Sequence, residues 1–214
     1  MKLPAIYWID FATNFLPVGV GLYNRRWIVK ENRLFFFFTI AALCSELITF
    51  TLAINGIRNL WMLQIYSLVS YTLLALLFAH WLQPDPISRL VRYSVLLYGI
   101  VWTGAKVFGI EGINDPAHFT HPIASTALVI ISSITLYRIS HNDTEPHWWN
   151  TMRFWVSSGV LLYFAGNVML FVVLDKIASL RFSDAMTIWS FHWSIDAVTN
   201  ISYTFGLLCL RQDR

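Results

Sequence analysis

Three residues at four-residue intervals, His192, Asp196 and Asn200, form the most suggestive chemical pattern in the sequence. On a helix those steps return to one face, so an imidazole, a carboxyl and an amide would stack along a single stripe. The stripe lies in an apolar stretch long enough to cross a bilayer, as do Asp10, Glu46 and Lys106. A charge at the bilayer centre costs about 2.5–3.5 kcal/mol on insertion scales, so such groups are expected to face a bundle interior or a wet cavity. His121 opens a further apolar stretch, and Asn14, Gln64 and Asn167 add neutral polar groups. The candidate ligand-binding set is therefore Asp10, Asn14, Glu46, Gln64, Lys106, His121, Asn167, His192, Asp196 and Asn200. No catalytic set is read.

Other chemistry fits less of the pattern. An i, i+4 His/Asp pair has the spacing for two zinc ligands, which His121 or Glu46 would have to complete. Seven-helix zinc amidases of the alkaline ceramidase and adiponectin-receptor group carry a His-x-x-x-His pair on their last helix. Here the second position is Asp196, and the rest of their ligand set is not found. No metal and no cofactor are therefore expected, with a zinc hydrolase built on His192 and Asp196 kept as an alternative beside a small-solute or proton transporter. A retinal pigment needs a Schiff-base lysine in the last segment, and 186–209 has none. The polar groups could also act purely as glue between helices, at about 0.6 kcal/mol per bond. Lys106 could snorkel to the interface or pair with Glu46 or Asp196.

The elements that position these residues follow from composition. The 214 residues are 57% hydrophobic and 13% charged, against about 25% charged in soluble domains. A spanning helix takes about 20 apolar residues, and runs near 4–23, 34–55, 60–82, 88–109, 119–138, 152–174 and 186–209 give seven. The reading is an all-α integral membrane bundle of seven transmembrane helices in a single domain. The first run follows Lys2, but Asp10 and Asn14 interrupt it, so it is taken as a retained span rather than a secretion signal. Pro17 should kink it, which requires packing against neighbours that satisfy the freed carbonyl. Pro84-Asp85-Pro86 reads as a stiff turn whose Asp85 starts the fourth helix.

Loop charge sets direction. Arg25, Arg26, Lys30, Arg33, Arg89, Arg92, Arg138, Arg153, Arg211 and Arg214, ten of fifteen basic residues, fall on one side. The positive-inside rule makes that side cytoplasmic, with the N-terminus outside and the C-terminus inside a bacterial inner membrane. The opposite connections hold Arg58, then Glu111 and Asp115, then Asp175, Lys176, Arg181 and Asp184. Most of the polar set then falls in the outer half. Trp8, Trp61, Trp81, Trp148, Trp149 and Trp189 lie near segment ends and read as interfacial anchors. Cys44 and Cys209 read as buried small residues. The loop 141–147, with His141 and His147, reads as solvated. No dense basic run points to nucleic acid, which is not an expected partner.

Asn14-Phe15-Leu16-Pro17 before a basic loop, Asn55-Gly56-Ile57-Arg58-Asn59-Leu60-Trp61 with Ile65-Tyr66 after it, and Phe191-His192-Trp193-Ser194-Ile195-Asp196 resemble short bacterial seven-helix membrane proteins. The activity of that group is largely uncharacterised, and it is similar to membrane modules of bacterial sensor kinases. Its members often carry an acid shortly after the Ile-Tyr pair, where this chain has Ser70 and Tyr71. The resemblance implies topology. The functional expectation is a receptor-like, sensory protein among membrane lipids, binding a small molecule or lipid in a periplasm-facing polar cavity and signalling through a separate cytoplasmic protein.

Overall fold

The computed structural model describes residues 4–28, 32–141, 148–172 and 182–210. Lys30, Arg211, Arg214, Asp175, Lys176 and Arg181, which the expected topology uses, and loop residues 142–147, expected to be solvated, lie outside them. Each apolar run folds into helix. The first divides into α1 (Ala5–Thr13) and α2 (Phe15–Tyr23); then come α3 (Arg33–Ile54), α4 (Leu60–Trp81), α5 (Pro86–Val107), α6 (Thr120–Ser140), α7 (Met152–Val172) and α8 (Phe182–Cys209). Four runs, Ala5–Tyr23, Arg33–Ile54, Leu60–Trp81 and Thr120–Ser140, are long and apolar enough to cross a membrane, which marks a membrane-embedded helical protein.

Local chemistry sets the ends. Gly56 and Gly109 each take φ of 68°, a conformation that costs glycine little. Beyond them Ile57 N–H reaches Leu52 O at 2.9 Å and Ile110 N–H reaches Ala105 O at 3.0 Å, closing α3 and α5. At the other end Asp85 Oδ1 accepts from Ile87 N–H at 2.8 Å, with Pro86 in the first turn of α5. That bond, and the ion pair with Arg138, hold the Asp85 carboxyl below its ordinary range against a smaller effect of burial.

The helices form a ring. α8 packs between α1/α2 and α7, α7 against α6, α6 against α4, α4 against α3, and α3 against α2. α5 lies outside it, against α4 and α6. Tyr7 meets Trp193 and Asn24 Nδ2 bonds Leu207 O, so the first run and α8 are parallel. Gly159 meets Tyr203 and Gly166 meets Ile195, so α7 and α8 are antiparallel. One end of the bundle holds the turn at Gly56; the other holds the turn at Pro84.

The two halves of the ring differ. Phe35, Leu74, Phe78, Val156 and Leu207 belong to one apolar core, and all lie in the Pro84 half. Gly159 and Gly206 let α7 and α8 approach closely there, since a Cβ on Gly206 would stand 3.0 Å from Val156 Cγ2. Two sequence expectations are corrected. Cys44 is exposed and Cys209 half-buried, because helices in a membrane turn apolar faces outward as well as inward. Trp81 is 7% exposed, packing on Phe78 and donating to Asn32 Oδ1 at 3.3 Å, so it is part of the core rather than an anchor.

Candidate functional site

The site begins at the break in the first run. Pro17 has no N–H for the Thr13 carbonyl, and the helix interrupts at Asn14. The Asp10 carbonyl collects donors instead: Thr13 Oγ1 at 2.7 Å, Asn14 Nδ2 at 3.1 Å and Asn14 N–H at 3.2 Å. Asn200 Nδ2 crosses from α8 to Thr13 Oγ1 at 3.4 Å. The break is thus stitched to the helix bearing the His192/Asp196/Asn200 stripe, as a packed kink requires.

Inside the ring, in the half toward Gly56, lies a cavity of about 860 Å³. Seven candidates line it: Asp10, Asn14, Glu46, His121, His192, Asp196 and Asn200. They come from α1, the break, α3, α6 and α8. Ala53, Ile54, Asn59 and Leu60 carry the wall to the Gly56 end, and Ile54 is 67% exposed. The far end is floored by Phe38 and Tyr203, whose rings meet edge-on at 5.7 Å above the apolar core.

The polar wall is concentrated on acids. Asp10, Glu46 and Asp196 bring three carboxyls to it from α1, α3 and α8. Asp10 Oδ1, Thr199 Oγ1 and Tyr203 Oη are buried on this wall and have no hydrogen-bond partner among the described residues. Native buried polar groups are rarely left so, and a molecule in the cavity could satisfy them. His192 sits between the rings of Trp189 at 5.7 Å and Tyr163 at 5.9 Å, which makes Trp189 a wall residue rather than an anchor. His121 Nδ1 lies 3.2 Å from Ser67 Oγ. Among the described residues no group of three or more His, Cys, Asp or Glu is arranged to hold a metal ion.

Gln64, Lys106 and Asn167 are not on this wall. Asn167 is buried within α7. Lys106 pairs with neither Glu46 nor Asp196: its Nζ donates to Glu111 Oε2 and to Gln64 Oε1, both at 2.7 Å. Gln64 Nε2 then donates to Asp115 O at 3.0 Å. The acid at the centre of this network, Glu111, is fully buried, whereas the sequence alone marks it only as a loop charge. It also accepts from Thr120 Oγ1 at 2.6 Å and Phe119 N–H at 2.9 Å, anchoring the start of α6 just before His121. Burial pushes the Glu111 carboxyl up, but the bonds from Lys106, Thr120 and Phe119 outweigh it and hold the group below its ordinary value. An acid five residues after a lysine, in the connection between two apolar runs, was the available signal.

Comparison with family models, curated proteins and solved structures returns no match.

Proposed function

We propose that this is a seven-pass, receptor-like protein of the bacterial inner membrane that binds a small molecule or lipid in its polar cavity. The observation that carries the reading is the gathering of seven polar side chains from five parts of the ring around one hollow. Its volume, about 860 Å³, falls within the span usual for ligand pockets, about 300–1,000 Å³.

Seven crossings are supported by α5, which carries Arg89, Arg92 and Lys106 near its ends. Its outward face presents Leu90, Tyr93, Leu97 and Ile100, each more than three-fifths exposed, as a lipid-facing helix requires. Direction is supported by exposed Arg25, Arg89, Arg92, Arg138 and Arg153, all toward the Pro84 end. With that end cytoplasmic, the cavity faces the periplasm. The packed core between cavity and cytoplasm favours a one-sided binding site over a through-path, and hence a receptor over a transporter. Binding shifts the packing of the broken first helix against α8, and the shift reaches a separate cytoplasmic protein through the basic loops. Such a signal requires the ligand to bind one packing state better than the other.

Native mass spectrometry of the detergent-purified protein tests the binding step. A small-molecule or lipid adduct is expected on the wild type and lost in Ala42→Trp, which places an indole in the hollow. An adduct that survives Ala42→Trp unchanged, or no adduct on the wild type, contradicts the reading.

A further inference from the structure

We infer that the ligand is an organic cation, an ammonium group carried on an apolar body, held by the three acids and the aromatic wall. This rests on the reading of the cavity as a ligand site and names the chemistry it selects. Asp10, Glu46 and Asp196 bring three carboxyls to one hollow, and no lysine or arginine lines it among the described residues. The nearby amine, Lys106, is already engaged by Glu111 and Gln64 on the far side of α4. Asp10 is buried and Glu46 and Asp196 are half-buried; acids withdrawn from water without a lysine or arginine beside them are costly, and a cation entering the cavity removes that cost.

The remaining wall favours an organic cation over a hydrated metal ion. Tyr7, Phe50, Tyr66, Tyr163, Trp189 and Trp193 all line the cavity, and aromatic faces attract ammonium groups as well as their hydrocarbon. Asp10, 3% exposed, keeps Oδ1 without a partner among the described residues, and Tyr203 Oη and Thr199 Oγ1, also on the cavity wall, are buried in the same condition. These acceptors lie on the same wall, where a hydroxyl or N–H carried by the cation's body would meet them. An anionic ligand would find like charge and neither lysine nor arginine on the described wall.

The test uses three probes of one shape in dodecyl maltoside: choline, its neutral isostere 3,3-dimethylbutanol, and the anion 3,3-dimethylbutyrate, with sodium chloride as ionic control. Choline is expected to raise the unfolding temperature in a saturable way, as a ligand of the native state does. The isosteres and sodium are expected to have little effect. Glu46→Gln and Asp196→Asn should each weaken the choline response about tenfold or more, since each removes a charged partner. If Asp196→Asn fails to fold, Glu46→Gln, a half-buried position, carries the comparison. Stabilisation by the neutral or anionic probe equal to that by choline, or a choline response unchanged in Glu46→Gln, overturns the cation assignment while leaving a ligand cavity. No stabilisation by any of the three overturns both. Repeating the choline titration in nanodiscs separates the sources: a response lost in phosphatidylethanolamine but kept in phosphatidylglycerol identifies a headgroup amine, and one kept in both identifies a soluble amine.

Discussion

Glu111 and Lys106 form an ion pair in which Thr120 and Phe119 also bond the acid, His118 Nδ1 lies 3.9 Å from it, and Gln64 bonds the amine. Glu111→Gln leaves the Lys106 ammonium without its counter-charge and is expected to cost about 2–4 kcal/mol, read as a lower unfolding temperature. The pH dependence has a definite sign. Because the folded Glu111 lies below its ordinary value of 4.5, its contribution is full above that pH and is lost as pH falls through the lowered folded value. In a His118→Gln background, which removes the imidazole 3.9 Å from the acid, the stability gap between Glu111 and Glu111→Gln should stay level from neutral pH to near 4.5 and close below it. A gap that widens on acidification would contradict this assignment. Why this pair was illegible is a matter of helical phase. Gln64 and Tyr66 are two residues apart, so on a helix they point to nearly opposite sides; Tyr66 lines the cavity and Gln64 turns toward α5. Apolar residues surround both, and the sequence offers no stripe to tell the sides apart. On α8 the four-residue repeat of His192, Asp196 and Asn200 supplied that stripe.

At the scale of elements, helix extents and the disruption near Pro17 were readable from charge, proline and glycine, because those residues act locally. Which helices touch was not, since a membrane helix is apolar on its lipid face and its packed face alike. The α7–α8 contact makes the difference measurable. A Cβ on Gly159 would stand 2.8 Å from Tyr203 Cε1, so Gly159→Leu must displace the aromatic floor and is expected to cost about 1–3 kcal/mol. Gly19 on α2 has nothing within 4 Å of the corresponding position, and Gly19→Ala is expected to be neutral or to stabilise by up to about 1 kcal/mol. Thermal unfolding of the two variants side by side checks the pair. Equal effects would mean that α7 and α8 are not closely packed there.

The whole molecule is a ring packed tightly toward Pro84 and hollow toward Gly56, with acids, imidazoles and amides around the hollow and arginines at the packed end. Access from one side is what unites the cavity, the charge pattern and the receptor reading. It is tested most directly by thiol chemistry in right-side-out membrane vesicles. In a Cys44→Ser, Cys209→Ser background, Thr49→Cys places a thiol on the cavity wall and Val198→Cys places one on the exposed outer face of α8. Thiolates react where water reaches them, so a membrane-impermeant maleimide added outside should label Thr49→Cys and leave Val198→Cys nearly untouched. Labelling of Thr49→Cys only from the inner face, or no faster than Val198→Cys, would contradict a hollow open to the periplasm.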